Sequence, residues 1–558
     1  MNIKSWLKEN WILCAILVLA LLIRLWFFYI TFGHPIWFDE SEYGSYGKLL
    51  ANHLNGNPYE INPQRPPLFM YSIAGFFAAG FENLAEPLII LFLVLLPSLL
   101  LVYAIFLLGR EMFNKKVGLI ASALAAVSWT FLFWSNRIQP DFLSMCFQVL
   151  AVIFMWKYWK SQYKSQTPPV SSSAAIPGEL GATAVPGREE RFFKKYAWVI
   201  CAGACTAAAF YFKVSALLVP MVFMVFIALK DRFSAFKDKG YWIYAATFIL
   251  FMLPYFLWAY STFGDPFAFK LGYIDAPTDF PEPGWYNLKF YMTLTSGGLG
   301  NGNIIMYIIF LAACVLAGLK VMLSLDFIVK DKTKAFDAKL FCLLVFIVVS
   351  CFYIFYMRNT DDRWVYLWMP FIFMMIGWVI MEGVEKIGSS IFKKYSKKAL
   401  ILTVCLLVIF MMFVQYQHAD ELIKYKADSY GPVKEASMWI KANSPPEAKV
   451  LSISYPQTVY YTERNVSTYS ILRTKEEFQQ YVIENKPQFL MVSIFEPHPA
   501  YVYEWVDENT RNGNIIPVQG YWADEAKTRP VLIVYFINGI DNNRGEFVSL
   551  PEINQIEG

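Results

Sequence analysis

Charge is scarce in this 558-residue chain, where 16% of residues are Asp, Glu, Lys or Arg against 57% hydrophobic and 18% aromatic. That shortage excludes an ordinary soluble domain. Cysteine is sparing and placed to do little. All eight cysteines (14, 146, 201, 205, 314, 342, 351 and 405) fall inside apolar runs, with no C-x-x-C pair, which excludes a disulfide framework and a cysteine zinc site. His34 and His53 are isolated, and no close cluster of ligand residues is evident. No small-residue cleavage site interrupts WFFYITFGHP after the first apolar run, 11–30, so that run is expected to stay as a span rather than leave as a signal peptide. With a net charge of only +4, no nucleic-acid partner is expected.

What the chain does have is long apolar runs. Runs of about 17 to 25 residues suit a bilayer crossing, and they fall near 10–30, 87–109, 117–135, 141–159, 196–212, 214–229, 241–260, 302–323, 339–357, 364–381 and 399–417. The fold class is therefore mostly α, a polytopic membrane protein of about 11 transmembrane helices. Alternate connections carry the Lys and Arg: 4–8, 110–116, 157–195, 230–239, 330–339 and 386–398. By the positive-inside rule those connections, and the N-terminus, are cytoplasmic. An odd number of spans then puts the tail, residues 418–558, outside the cell membrane.

Charge also divides the chain. Residues 418–558 hold 13 Lys and Arg against 19 Asp and Glu, and the first 417 residues hold 35 against 25. We read 1–417 as a transmembrane domain and 418–558 as a soluble extracytoplasmic α/β domain, in which helical stretches alternate with the β-rich runs VLSISY, FLMVSIF and VLIVYFI. Within the first part, 31–86 is an exterior loop with short surface helices. The segment 160–195 is a cytoplasmic linker rich in Pro, Ser and Gly at its centre, and 261–301 is an exterior loop whose aromatics and prolines suit binding. Asn465-Val466-Ser467 is an N-glycosylation sequon on the outer side.

The exterior connections hold a small set of charges at one membrane depth: Asp39 and Glu40 in WFDE; Arg65 in QRPPLFMY; Arg137 and Asp141 in SNRIQPDF; Lys213; and Arg358, Asp361, Asp362 and Arg363 in RNTDDRW, with Arg24 of the first span a further member. Each alone also reads as an interfacial anchor or a helix cap. Together, on separate connections but one face, they must pair or line a wet cavity. Carboxylates and cations in that setting suit transfer of a sugar from a phosphate. A carboxylate takes the proton of an acceptor hydroxyl, and Arg or Lys stabilise the charge that builds on the leaving phosphate.

The order WFDE, RPPLFMY, SNRIQPD, FYFKVSALLVP and DDRWVYLWMP over residues 10–380 resembles the GT-C glycosyltransferases of the protein O-mannosyltransferase and aminoarabinose-transferase type. The resemblance implies a GT-C fold and a polyprenyl- or dolichyl-phosphate sugar donor, mannose or another hexose. It also implies an extracytoplasmic site, inversion at the anomeric carbon, and a glycan, protein or lipid acceptor among membrane lipids. Position by position it makes Asp39 the base, with Glu40 its companion and Asp141 the second acidic position. Arg65, Lys213 and Arg363 become donor-phosphate ligands, with Arg137 and Arg358 beside them. Where the family reads Thr-Lys-Gly this chain has Phe212-Lys213-Val214, and the WWDYG signature of the oligosaccharyltransferase branch is absent. No cofactor is required by this chemistry. A divalent metal, which some members hold, is left open, with Asp39, Glu40 and Asp141 as its ligands if one binds. A lipid-linked-sugar flippase and a non-catalytic glycan-binding membrane protein are the alternatives.

Overall fold

The computed structural model describes residues 3–54, 60–81, 84–164, 188–270, 284, 287, 304–323, 334–357, 360–390 and 397–538. Arg358, most of the 261–301 loop and the centre of the linker lie outside these.

The protein is a multi-pass membrane protein. Among the described residues eight helical stretches are long and apolar enough to cross a bilayer: Trp11–Ile30, Ala85–Met112, Asp141–Gln162, Val214–Lys237, Lys239–Phe263, Ile304–Met322, Asp337–Phe355 and Lys398–Ala442, the last made of two successive helices. Tyr196–Phe212 and Met369–Val384 are apolar but shorter. The run expected as a span over 117–135 is instead two helices, Lys115–Val127 and Trp129–Trp134. Ser128 separates them with an extended ψ of 125°, and the amide freed at Trp129 donates to Gln415 Oε1 at 3.1 Å. That break delivers the SNRIQP segment to the end of the bundle.

Arg24 is fully buried. Its guanidinium donates to Ser98 Oγ at 2.8 Å and to the Ala126 carbonyl at 2.9 Å, tying the first helix to two neighbours. This is the paired state that a cation at membrane depth requires, and it keeps Arg24 out of the exterior cluster.

The connection after the first long apolar helix folds into two short helices, Asp39–Leu50 and Pro67–Ala78. Their apolar side chains, including Tyr43, Tyr46, Phe69 and Ile73, share one core with Val433, Val459 and Tyr460 of the C-terminal region. The helix Lys397–Lys426 runs unbroken past residue 417, so the boundary read from charge falls inside it. Beyond it five strands make one sheet: β1 (Lys449–Ser452), β2 (Asn465–Ser467), β3 (Phe489–Ser493), β4 (Ile515–Trp522) and β5 (Pro530–Ile537), in the order β2-β1-β3-β5-β4. The first three strands are parallel and β5 runs antiparallel to both neighbours. Asn465 of the sequon opens the edge strand β2.

Candidate active site

Asp39 opens the helix Asp39–Leu50, whose first turn also holds Glu40 and Glu42. Carboxylates there complement the positive end of the helix dipole. Successive residues on a helix point about 100° apart, whereas residues three apart share a face, and this separates the acids. Asp39 and Glu42 face Arg65; Glu40 faces the other way.

Arg65 arrives on a tight turn. Asn62 Oδ1 accepts the Gln64 amide at 2.9 Å and the Asn62 carbonyl accepts the Arg65 amide at 2.9 Å. Pro66 and Pro67 then hold the chain extended into the next helix. The guanidinium meets Asp39 Oδ1 at 2.6 Å and also pairs with Glu42. Glu42 was not anticipated from the sequence, although its spacing from Asp39 carries the signal.

The second oxygen of Asp39 is held from across the bundle by Arg363 Nη2, at 2.7 Å. Arg363 sits in a 3-10 turn, Asp362–Leu367. It is fixed by Asp361, which accepts its Nε at 3.0 Å and its backbone amide at 2.8 Å, and by Gln139 Oε1, 2.8 Å from Nη1. Its plane lies 4.8 Å from the Trp134 ring. Lys213, just past the end of the helix Arg188–Phe212, pairs with Asp141 at the start of the helix Asp141–Lys164. The second oxygen of Asp141 is buried with no partner among the described residues. The two groups form one field: Asp361 feels Lys213, and Arg363 feels Asp141.

Glu40 and Arg137 form a separate, closed unit. Glu40 Oε1 accepts the Ile138 amide at 2.8 Å; Oε2 accepts the Trp37 amide at 3.2 Å and Arg137 Nη1 at 3.3 Å. Arg137 also stacks 4.1 Å over the Trp37 ring. These two side chains retain 2% and 3% of their surface, whereas Asp39 and Arg65 keep 23% and 24%, and Lys213 keeps 24%. The accessible cluster is thus Asp39, Arg65 and Lys213, with Arg363 at 12% reaching it from a more buried position, and the Glu40–Arg137 pair braces the same loop.

Burial acts on both acids, with opposite outcomes. Burial would raise the Asp39 carboxyl, but Arg65 and Arg363 hold it well below the usual carboxylate range. At Glu40 burial outweighs Arg137 and the two backbone amides, and the carboxyl is pushed up to about 7.

Residues 64–168 match the family model described as dolichyl-phosphate-mannose-protein mannosyltransferase. No curated protein sequence matches the chain. Among solved structures, the Archaeoglobus fulgidus oligosaccharyltransferase in its apo form superposes over 88% of this chain and 70% of its own, with a TM-score of 0.60 at 13% identity. ArnT from Cupriavidus metallidurans in the apo state superposes over 93% of this chain and 97% of its own, with a TM-score of 0.58 at 11% identity. The same ArnT is also known bound to undecaprenyl phosphate, with a TM-score of 0.56 at 11% identity. The fold of the chain is that of the GT-C superfamily.

A further structure of the archaeal enzyme contains zinc and sulfate. Here Asp39, Glu40 and Asp141 do not make one ligand set, since each faces a different cation. Among the described residues no three His, Cys, Asp or Glu side chains converge on a point. The residues as arranged do not fit a metal.

Proposed function

We propose, proceeding from the GT-C fold, that the protein transfers a sugar from a polyprenyl-phosphate donor to an acceptor hydroxyl at the Asp39 cluster, on the extracytoplasmic face. The single observation that carries this reading is the partly accessible Asp39 carboxylate gripped, one oxygen each, by two guanidiniums from separate segments, Arg65 and Arg363. A planar guanidinium fork suits phosphate as well as it suits carboxylate, so the donor can take over ligands that Asp39 now holds.

The chemistry follows from that exchange. Among the described residues Asp39, Glu42, Asp141 and Asp361 pair with three cations, Arg65, Lys213 and Arg363, so a donor phosphate enters by competing for them. As Arg65 and Arg363 turn to the phosphate, Asp39 loses the charges that depress it and becomes a stronger base. The acceptor oxygen attacks the anomeric carbon and the bond from that carbon to the phosphate oxygen breaks. Its electron pair leaves with the polyprenyl phosphate, which gains one negative charge, and the acceptor proton passes to Asp39. Attack opposite the leaving group inverts the anomeric centre. Arg65, Arg363 and Lys213 stabilise the growing phosphate charge. The matched family description supports mannose first among hexoses; the acceptor we propose is a glycan, protein or lipid hydroxyl.

The test is to incubate the purified protein with a panel of radiolabelled polyprenyl-phosphate hexoses and native membrane extract, beside Asp39→Asn. Label reaching an acceptor with the intact protein alone supports the reading. Turnover by Asp39→Asn at the intact rate removes Asp39 from its role, and donor bound without transfer in every extract turns the protein into a binding or flipping one.

A further inference from the structure

The residue before Asp39 is strained, and the C-terminal region holds it so. Phe38 adopts φ 45° and ψ −117°, a conformation that a side chain with a Cβ resists and that persists only where the surroundings impose it. Its carbonyl accepts the Glu42 amide at 2.9 Å, so the strained unit is also the first link of the helix that presents Asp39.

What imposes it is an aromatic stack centred on Tyr430, which lies between the last long helix and the helix Gly431–Ala442. The Tyr430 ring is stacked with Trp37 at 6.1 Å, meets Phe38 edge-on at 5.4 Å and rests against Phe495 at 5.0 Å. Tyr430 is itself in the left-handed region, with φ 67°. Its hydroxyl feels the Glu496 carboxylate, one oxygen of which is fixed by the Ser454 and Ser493 hydroxyls at 2.6 and 3.1 Å. These serines lie at or just beyond the ends of β1 and β3, so the stack is anchored in the sheet.

We infer that Tyr430 is a positioning residue for Asp39: its ring, anchored in the sheet through Phe495 and Glu496, keeps Phe38 in the positive-φ conformation that points Asp39 at Arg65 and Arg363. Without the ring Phe38 relaxes to negative φ and turns the start of the helix. Asp39 then leaves its place while Arg65, Arg363 and Lys213, carried by other elements, stay. This inference rests on the reading of Asp39 as the base.

The experiment is a kcat and donor-KM comparison on the full chain of Tyr430→Ala, Tyr430→Phe and Phe38→Gly, with Asp39→Asn alongside. Tyr430→Ala is expected to lower kcat by about tenfold or more, since small misplacement of a reacting group is costly, with donor KM no higher than that of the intact protein and lowered as in Asp39→Asn, which also reports that it folds. Tyr430→Phe keeps the ring and restores most of kcat. Glycine reaches positive φ without strain, so in a Phe38→Gly background removing Tyr430 costs markedly less. Unchanged kcat in Tyr430→Ala, equal loss of kcat and donor affinity, or an undiminished loss in the Phe38→Gly background each overturns the inference. If Asp39→Asn is fully active, the base assignment fails instead; if Asp39→Asn is inactive and Tyr430→Ala is normal, only the positioning role fails.

Discussion

A carboxylate between two guanidiniums is held ionised, which makes it a weak base until something draws the arginines away. That tension gives Asp39 a signed prediction. Asp39→Asn should lower transfer by about 10²- to 10⁴-fold, the usual contribution of a general base. It should also tighten donor binding several-fold, because a competitor for Arg65 and Arg363 has gone; equilibrium binding of the donor lipid reads the second effect, and weaker binding would contradict the exchange. The neighbouring acid behaves oppositely. Glu40→Ala leaves Arg137 buried without its carboxylate, at a cost of about 3–5 kcal/mol, and should appear as a large drop in melting temperature. The pH sign also differs between the two. Asp39, with its folded value depressed, contributes stability above its unfolded 3.8 that is lost only as pH falls through the lower folded value. Glu40, raised to about 7 from 4.5, binds its proton more tightly when folded. It therefore disfavours the fold progressively as pH rises from 4.5 to 7, and melting of Glu40→Gln, whatever its absolute temperature, should lack that decline. The sequence displayed Asp39, Arg65, Lys213 and Arg363 because charges are rare in an apolar chain. It paired Asp39 with Glu40 through adjacency, whereas helix geometry selects Glu42.

Two short helices carry Asp39 and flank the turn that brings Arg65 to it, and their spacing depends on glycine. At Gly47 a Cβ would lie 2.2 Å from Ile73 Cγ2, and at Gly44 one would lie 2.6 Å from the Tyr460 ring. Ile73 belongs to the helix Pro67–Ala78, so Gly47 sets the distance between the element bearing Asp39 and the element that follows Arg65. Gly47→Ala is expected to destabilise by about 1–3 kcal/mol, as overpacking of a tight core does. It should weaken donor binding along with kcat because Arg65 is displaced from Asp39; an unchanged melting temperature would show that the helices can separate freely. Elements of this kind were partly legible. The helices Gly431–Ala442, Lys475–Asn485 and Ala500–Arg511 and the strands β1, β3 and β5 coincide with periodic or β-branched runs. Strand β4 was not read because Pro517 and Gly520 interrupt it, and the register indeed shifts between Pro517 and Gln519. Both residues are tolerated there because β4 is an edge strand. The broken run at Ser128 was read as one span because apolarity continues across it and only the backbone changes.

At the scale of the whole molecule, composition divides the chain into an apolar part and an acidic tail, but packing does not respect that division. Hydropathy records what each segment buries, not against what, and the partners of the helices Asp39–Leu50 and Pro67–Ala78 are more than 350 residues away. Ile36 donates its amide to the Tyr461 hydroxyl at 2.8 Å, Lys48 reaches Glu463 at 2.7 Å, and Tyr43, Tyr46 and Ile73 are buried in one core with Val433, Val459 and Tyr460. The loop that bears Asp39 is therefore completed by the tail. A chain ending at Lys426 keeps its apolar spans but exposes that half-core, at about 1.5–3 kcal/mol for each large apolar side chain returned to water. We expect such a chain to insert into membranes and yet bind donor at least tenfold more weakly, with faster hydrogen exchange confined to residues 36–78 rather than spread through the spans. Donor affinity equal to that of the full chain would mean that the loop folds alone and that the tail serves the acceptor only. Exchange rising throughout the bundle would instead make the tail a brace for the entire membrane part.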